Sequence, residues 1–277
     1  MKLHLKTKDY SVSREEFQIV YDEQLEMLIT KPQPADLDKY YQSENYISHT
    51  DANISFLDKA YQGVKKYSLI NKVRLIGKYA SSGKLLLDVG AGTGDFLLKA
   101  KKMGWEIEGV EPNSHARILA LEKEVDLYPS LHALPEKKYD VITLWHVLEH
   151  LPDLQNQIKQ LISLLKVDGT LVIAVPNFNS FDAKYYKKYW AAYDVPRHLW
   201  HFSKASIQKM FATHGMKVIK TKPMVFDAFY VSLLSEKYKT GRLNIIRAFG
   251  VALWSNCKAW KTKEYSSLIY ILKGANN

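Results

Sequence analysis

Cysteine is almost absent from this 277-residue chain: Cys257 stands alone. No intramolecular disulfide can form, and cysteine-built zinc sites are excluded. A reducing compartment is the expected setting. Long apolar runs are missing too. None approaches the ~20 residues of a membrane span, and Met1 to Tyr10 alternate polar and apolar residues without a signal-peptide core. These absences predict a cytoplasmic protein with no membrane span. Blocks of like charge are also lacking. The net charge is +10, yet the lysines are scattered singly or in pairs such as Lys65-Lys66, Lys101-Lys102 and Lys187-Lys188. A basic balance admits nucleic acid, an anionic membrane surface or an acidic substrate. With no dense basic patch and no recognised RNA-binding module, it reads as a solvated surface, and nucleic acid is not an expected partner.

What is present suits a folded core. Hydrophobic residues make up 47% and charged residues 25%, which excludes a disordered chain. Residues 1–30 carry an amphipathic stretch, Phe17, Val20, Tyr21 and Leu25, broken by Pro32 and Pro34. Ile54, Leu57, Tyr61 and Val64 run at helical spacing and predict a helix over about 53–80. From Lys84 strand–turn–helix units begin. Leu85 to Val89 reads as a buried parallel strand. Further strands are predicted at Trp105 to Val110, Val125 to Tyr128, Tyr139 to Trp145, Thr170 to Val175, Met216 to Thr221 and Ser266 to Leu272. Helices are expected near 94–103, 114–124, 153–166, 203–213 (with Ser203 as N-cap) and 227–262. The alternation implies an α/β fold with a mostly parallel sheet covered on both faces. Residues 177–202 remain a long aromatic connection, and such a length inside a compact domain usually serves function.

The segment Leu87-Asp88-Val89-Gly90-Ala91-Gly92-Thr93-Gly94-Asp95 joins a strand to a helix. Its glycines allow a sharp turn and close approach to a ligand. Glu111 ends the next strand, where an acid can bind two ribose hydroxyls. A dinucleotide fingerprint needs a small residue where Asp95 stands. Asp88, at the edge of the turn, suits a ligand carrying an ammonium group better than a pyrophosphate. S-adenosylmethionine (SAM) has the ammonium group, the ribose and no phosphate.

Asp88 to Gly94 resembles the first motif of class I SAM-dependent methyltransferases, and Gly109-Val110-Glu111-Pro112 is similar to their second. Tyr139 to Ile142 with Val147-Leu148-Glu149-His150-Leu151-Pro152-Asp153 resembles the fourth-strand motif of the ubiquinone-biosynthesis-methyltransferase-like branch. Leu164 to Leu171 resembles the turn into strand five. The resemblance covers about residues 83–223 and the final strand. It implies a Rossmann-like, seven-stranded methyltransferase sheet with an antiparallel last strand and an N-terminal and inserted helical cap. The implied division is 1–82 for the N-terminal, substrate-side region, 83–226 for the SAM-binding core, 227–264 for the helical insertion and 265–277 for the last strand and tail. The implied cofactor is SAM, with S-adenosylhomocysteine as product. Asp88, Gly90, Gly92, Gly94, Glu111, Pro112, His132 and His146 are the expected cofactor-side residues. His132 stands where the family's third-strand acid touches the adenine amine, and a plain loop is the competing reading of 130–135.

Two histidine clusters follow. His146-Val147-Leu148-Glu149-His150 matches an H-x-x-E-H pattern known from zinc peptidases. Such a site needs a helical turn and a third ligand. Here a buried strand ends at Trp145 and the pair straddles a loop or short turn, so no metal is expected; the reading set against a metal site is a loop shaping the cofactor pocket, with His150 bonded to backbone. Asp194-Val195-Pro196-Arg197-His198 lies after strand five, at the ligand-binding end of the sheet. His198 or His150 is a candidate general base, with Asp194 orienting His198. Alternatively Arg197 and His198 lock the loop through structural hydrogen bonds. Aromatics at 40, 41, 46, 185, 186, 189, 190 and 193 either line an acceptor pocket or form a core beneath a cap.

The expected function is methyl transfer to a small-molecule acceptor, oxygen slightly favoured by the resemblance. The alternatives are an RNA or protein methyltransferase, a SAM-binding protein without catalysis, and a NAD-dependent enzyme, against which Asp95 counts.

Overall fold

The computed structural model describes residues 1–40, 56–81 and 83–275. Tyr41, Tyr46 and Ile54, and the side chains of Leu57 and Tyr61, lie outside the described residues.

Two sheets organise the chain. The larger has six strands in the order β5-β4-β6-β7-β10-β9. These are β4 (Leu85–Val89), β5 (Glu106–Val110), β6 (Tyr139–Trp145), β7 (Leu165–Pro176), β9 (Met216–Pro223) and β10 (Ser267–Gly274). The pairs β4–β5, β4–β6 and β6–β7 are parallel, and β10 runs antiparallel between β7 and β9. The strands are apolar because both faces are covered: β6 is buried from Tyr139 through Leu144. One face packs with Ile158 and Leu161 of α4 (Leu154–Ser163) and with Ile207, Met210 and Phe211 of α6 (Lys204–Ala212). The other packs with Val73 and Ile76 of α1 (Phe56–Tyr79) and with Phe96, Leu97 and Ala100 of α2 (Asp95–Lys102). Ser203 caps α6 by accepting from Ser206 N–H, as its position predicted.

The strand expected at Val125 to Tyr128 reduces to one parallel bridge, Tyr128 to Val110. Tyr128 donates to the Gly109 carbonyl and accepts from Glu111 N–H, so the segment follows the sheet edge for two hydrogen bonds only. The sheet therefore has six strands where seven were expected.

The N-terminal region differs from the helical cap expected there. It is an antiparallel meander of β1 (Lys2–Lys8), β2 (Glu16–Asp22) and β3 (Met27–Lys31), extended by β8 (Trp200–His201) into a second, four-stranded sheet. The connection 177–202 is no plain loop. It contains α5 (Phe181–Tyr186), two 3-10 turns and β8. Its aromatics settle largely as core: Tyr186, Trp190 and Tyr193 pack with Tyr40, Phe17 and Leu28 of the meander region. Buried Asp182 ties this segment down, accepting from Trp190 Nε1, Ser255 Oγ and Ser266 Oγ at 2.7–2.8 Å. Residues 227–262 form the expected helical insertion as α7 (Asp227–Thr240) and α8 (Ile245–Thr262). Among the described residues, no helix is long and apolar enough to cross a membrane.

Candidate functional site

The carboxyl ends of β4, β5, β6 and β7 gather the predicted residues. At the end of β4 the chain turns through Gly90, Gly92 and Gly94, with φ of 72°, 54° and 75°. A side chain at such angles is strained. Space decides the rest. A Cβ on Gly90 would strike Val147 at 2.4 Å, so the turn is seated against the segment after β6. A Cβ on Gly92 would meet nothing within 4 Å, which leaves the backbone of the turn open to a ligand. Gly92 N–H donates to Glu111 Oε2 at 2.8 Å, and Asn113 N–H donates to Oε1 at 3.0 Å. Glu111 thus stands beside the glycine turn with its carboxylate held in place. Pro112 is exposed, and its carbonyl accepts from Arg117.

Asp88 is buried beneath the turn and accepts from Thr143 Oγ1 at 2.5 Å. Burial pushes its carboxyl up to about 7, against the opposing pulls of Thr143 and Lys72. A carboxyl in this state gains from a cationic ligand. Lys72, on α1, is the nearby cation that sequence reasoning missed. Its Nζ lies 4.3 Å from the centre of the Trp145 ring, and burial lowers its pKa despite Asp227 and Asp88. The α1 pattern revealed only apolar spacing. The open backbone over Gly92, the carboxylate at Glu111 and the buried carboxyl at Asp88 fit the ribose and ammonium groups of SAM.

His146 sits at φ 59°. Its Nε2 lies 3.0 Å from Asp227 Oδ2, and Nδ1 lies 3.4 Å from Glu149 Oε1. Burial disfavours the charged ring, but the two carboxylates outweigh it and raise its pKa to about 10. The ring thereby ties the strand end to the first residue of α7. His132 stands exposed on the turn Leu131–Ala133.

The second cluster is assembled across the chain. The turn Leu148–His150 follows β6. Leu199 N–H donates to the Glu149 carbonyl at 2.8 Å, and Trp200 Nε1 donates to the Leu151 carbonyl at 2.9 Å. These bonds lay the 194–202 segment against that turn. His150 and His198 meet edge to face with ring centroids 4.5 Å apart. His198 Nδ1 donates to the Ala192 carbonyl at 2.8 Å, and His150 Nδ1 to the Arg197 carbonyl at 3.1 Å. A carbonyl only accepts, so each Nδ1 carries a hydrogen, and in the neutral form of each ring the lone pair is on Nε2. Burial, then the neighbouring His198, pushes His150 down to about 4. Donor atoms of Glu149, His150 and His198 lie within 4.8 Å of one another.

Asp194 has a different first partner from the one expected. Its oxygens accept from Arg197 at 2.6 and 3.0 Å, while His198 Nε2 lies 4.0 Å from Oδ2. Arg197 is itself buried, and it also donates to Asp9 Oδ1 at 3.1 Å, Ser11 Oγ at 2.5 Å and the Tyr40 carbonyl at 3.0 Å. It clamps the meander to the loop, as its structural reading proposed.

A parallel sheet with one reversed strand, and a glycine turn facing an acid at the carboxyl edge, define a Rossmann-like ligand-binding fold. Residues 61–221, more than half of the chain, match the family described as methyltransferase domain, and the chain belongs to it. It is 32% identical over 108 residues to a ubiquinone biosynthesis O-methyltransferase from Aeromonas salmonicida, a match covering 35% of this chain and 45% of that protein. The chain thus spans about half the length of the curated relatives it matches. Among solved structures it is similar to a magnesium protoporphyrin IX methyltransferase from Synechocystis with bound S-adenosylhomocysteine, at TM-score 0.55 and 17% identity over 84% of this chain and 95% of that one. A geranyl diphosphate C-methyltransferase from Streptomyces coelicolor is similar at TM-score 0.55 and 11% identity, over 82% and 87% of the two chains. At these identities the structural likeness speaks for the fold.

Proposed function

We propose that the protein is a SAM-dependent methyltransferase acting on a small-molecule acceptor, with oxygen as the favoured target atom. The observation that carries this reading is the turn Gly90–Gly94, open above Gly92 and hydrogen-bonded to Glu111. SAM, when bound, supplies an activated methyl group. Gly90, Gly92 and Gly94 give it a close backbone, Glu111 accepts from its ribose, and Asp88 faces its ammonium end. His146, bonded to Asp227, holds the strand end and α7 in register beside it.

The chain's part is then alignment and exclusion of water. SAM held at Gly90, Gly92, Gly94 and Glu111 would supply its methyl group to the acceptor's oxygen. The acceptor's hydroxyl proton leaves toward the cluster of Glu149, His150 and His198, where the Nδ1–H bonds to backbone leave Nε2 as the accepting atom of a neutral ring. Asp194, bonded first to Arg197, stands 4.0 Å from His198 Nε2, and the Ala192 carbonyl rather than Asp194 orients that ring. The matched relatives named as ubiquinone biosynthesis O-methyltransferases support the oxygen preference. One exposed cysteine, Cys257, and scattered basic charge fit a cytoplasmic enzyme with no nucleic-acid partner.

Calorimetric titration with S-adenosylhomocysteine tests the reading. Binding with NAD far weaker is expected, followed by methylated products in a metabolite screen. Tighter binding of NAD overturns it.

A further inference from the structure

We propose that Glu149, His150 and His198 form a site for one divalent metal ion, which holds an oxygen of the methyl acceptor. The acceptor's role rests on the function proposed above; the metal site itself does not.

Burial supplies the first argument. Glu149 is 1% exposed, and among the described residues its carboxylate oxygens have no well-formed hydrogen bond beyond the long contact with His146. Its ion-pair contact with His146 is long, at 3.4 Å, and that ring is drawn to Asp227 at 3.0 Å. His146, shared with Asp227, leaves this buried carboxylate only partly compensated, with room for a second cation.

The orientation of the rings supplies the second. His150 and His198 each commit Nδ1–H to a backbone carbonyl, Arg197 and Ala192 respectively. That arrangement fixes the tautomer and turns Nε2 into the ligating atom, as outer-shell carbonyls do around metal-bound histidines. Two imidazole lone pairs and a carboxylate therefore share a space in which their donor atoms lie within 4.8 Å of one another. Lone pairs so gathered repel one another unless a positive charge stands among them. Tetrahedral zinc needs such donors to draw in to about 3.4 Å.

The scaffold is firm. His150 N–H donates to the Val147 carbonyl, His198 N–H to the Asp194 carbonyl, and Leu199 N–H to the Glu149 carbonyl, at 2.8–3.0 Å. Two histidines and one carboxylate suit Zn²⁺, and also Mn²⁺ or Fe²⁺, with coordination positions left for an oxygen ligand. The site lies at the same sheet edge as the glycine turn, because Val147, two residues before Glu149, is the side chain against which Gly90 is seated. With the ion in place, the imidazole lone pairs are committed to it in place of the proton-accepting role they have in the metal-free cluster; the metal instead polarises the acceptor's hydroxyl, whose proton leaves to solvent. The pairing differs from the H-x-x-E-H pattern: His146 turns away, and the third donor arrives from the loop after β7.

The test uses the full chain, freed of metal by EDTA dialysis and titrated calorimetrically with Zn²⁺. One equivalent is expected. His198→Ala and Glu149→Gln should each weaken binding by at least about 100-fold, while His115→Ala, an exposed histidine on Ser114–Leu121, leaves it unchanged. S-adenosylhomocysteine binding should persist in His198→Ala. If the variants fail to fold, Co²⁺ added to the wild-type protein gives the second readout: intense visible bands of a four- or five-coordinate centre are expected. Zinc binding unchanged by His198→Ala, or a wild type without those cobalt bands, overturns the site. Metal binding without S-adenosylhomocysteine binding would instead sink the proposed function and leave the metal site standing.

Discussion

Arg197→Ala should loosen the N-terminal meander before it disturbs the main sheet. The guanidinium is buried and donates to Asp194, Asp9, Ser11 and the Tyr40 carbonyl. Truncating it leaves buried Asp9 without its cation and Asp194 facing His198 alone. Breaking a buried pair from one side costs about 3–5 kcal/mol. At about 2–4 °C per kcal/mol for a chain approaching this size, Tm should fall by about 6–20 °C. Arg197→Lys should recover only part of this, since a single ammonium cannot reproduce the planar fork. Urea unfolding followed by circular dichroism gives the total, and limited proteolysis with mass spectrometry locates the opening, expected between β1 and β3. The pH dependence follows from Asp9, whose carboxyl burial would raise but which Ser13 N–H, Arg197 and Ser11 N–H hold well below the usual carboxylate range. A depressed folded pKa gives stability that is present above the unfolded value near 4 and lost as pH falls through the folded one. The gap between wild type and Arg197→Ala should therefore narrow in acid. A loss below about 1 kcal/mol at neutral pH, or first cleavage within the 83–223 core, would refute this account of how the meander is held.

Other perturbations address the cofactor edge. Gly92→Val should leave the secondary structure intact and abolish S-adenosylhomocysteine binding in calorimetry, because its side chain would fill the open space over the turn; normal binding would remove the turn from the site. Glu111→Ala deletes the acceptor of Gly92 N–H and Asn113 N–H, and should weaken that binding by about 2–3 kcal/mol, the scale of charge-assisted hydrogen bonds. His146, raised to about 10 against the pull of burial, contributes stability that is full below its unfolded pKa near 6.5 and lost as pH rises through about 10. With its side chain 34% exposed the contribution is about 1 kcal/mol after solvent screening, and Asp227→Asn should flatten that alkaline decline in thermal unfolding. An unchanged alkaline slope in Asp227→Asn would show that the pair does not couple α7 to the strand end.

The large sheet was legible because its strands are buried on both faces. Leu85 to Val89 and Tyr139 to Trp145 are mostly apolar runs, interrupted only by Asp88 and by Asp140 and Thr143, and the structure places β4 and β6 there. The meander was harder to see. Phe17, Val20, Tyr21 and Leu25 match helical spacing, while the structure buries Phe17 and Ile19 and exposes Glu16 and Gln18, a period of two. Over so few residues both periods fit, and the partner strand that decides, β3, pairs with β8 at Trp200 and His201 from the distant loop. The third strand shrank for a related reason: its edge position leaves Tyr128 one neighbour, so two hydrogen bonds satisfy it. At the site, the glycine turn and Glu111 are close in sequence and could be read as one motif. The histidine cluster could not. Spacing drew attention to His146 and His150, but His146 is claimed by Asp227. Glu149 carries no local sign that both its oxygens are buried with His146 as their long-range partner among the described residues, and His198 reaches it only because Leu199 and Trp200 bond back to the turn at 148–151. A constellation joined by loop-to-turn hydrogen bonds leaves no period in the sequence, which is why the donors with the strongest claim on a cation became visible only in the fold.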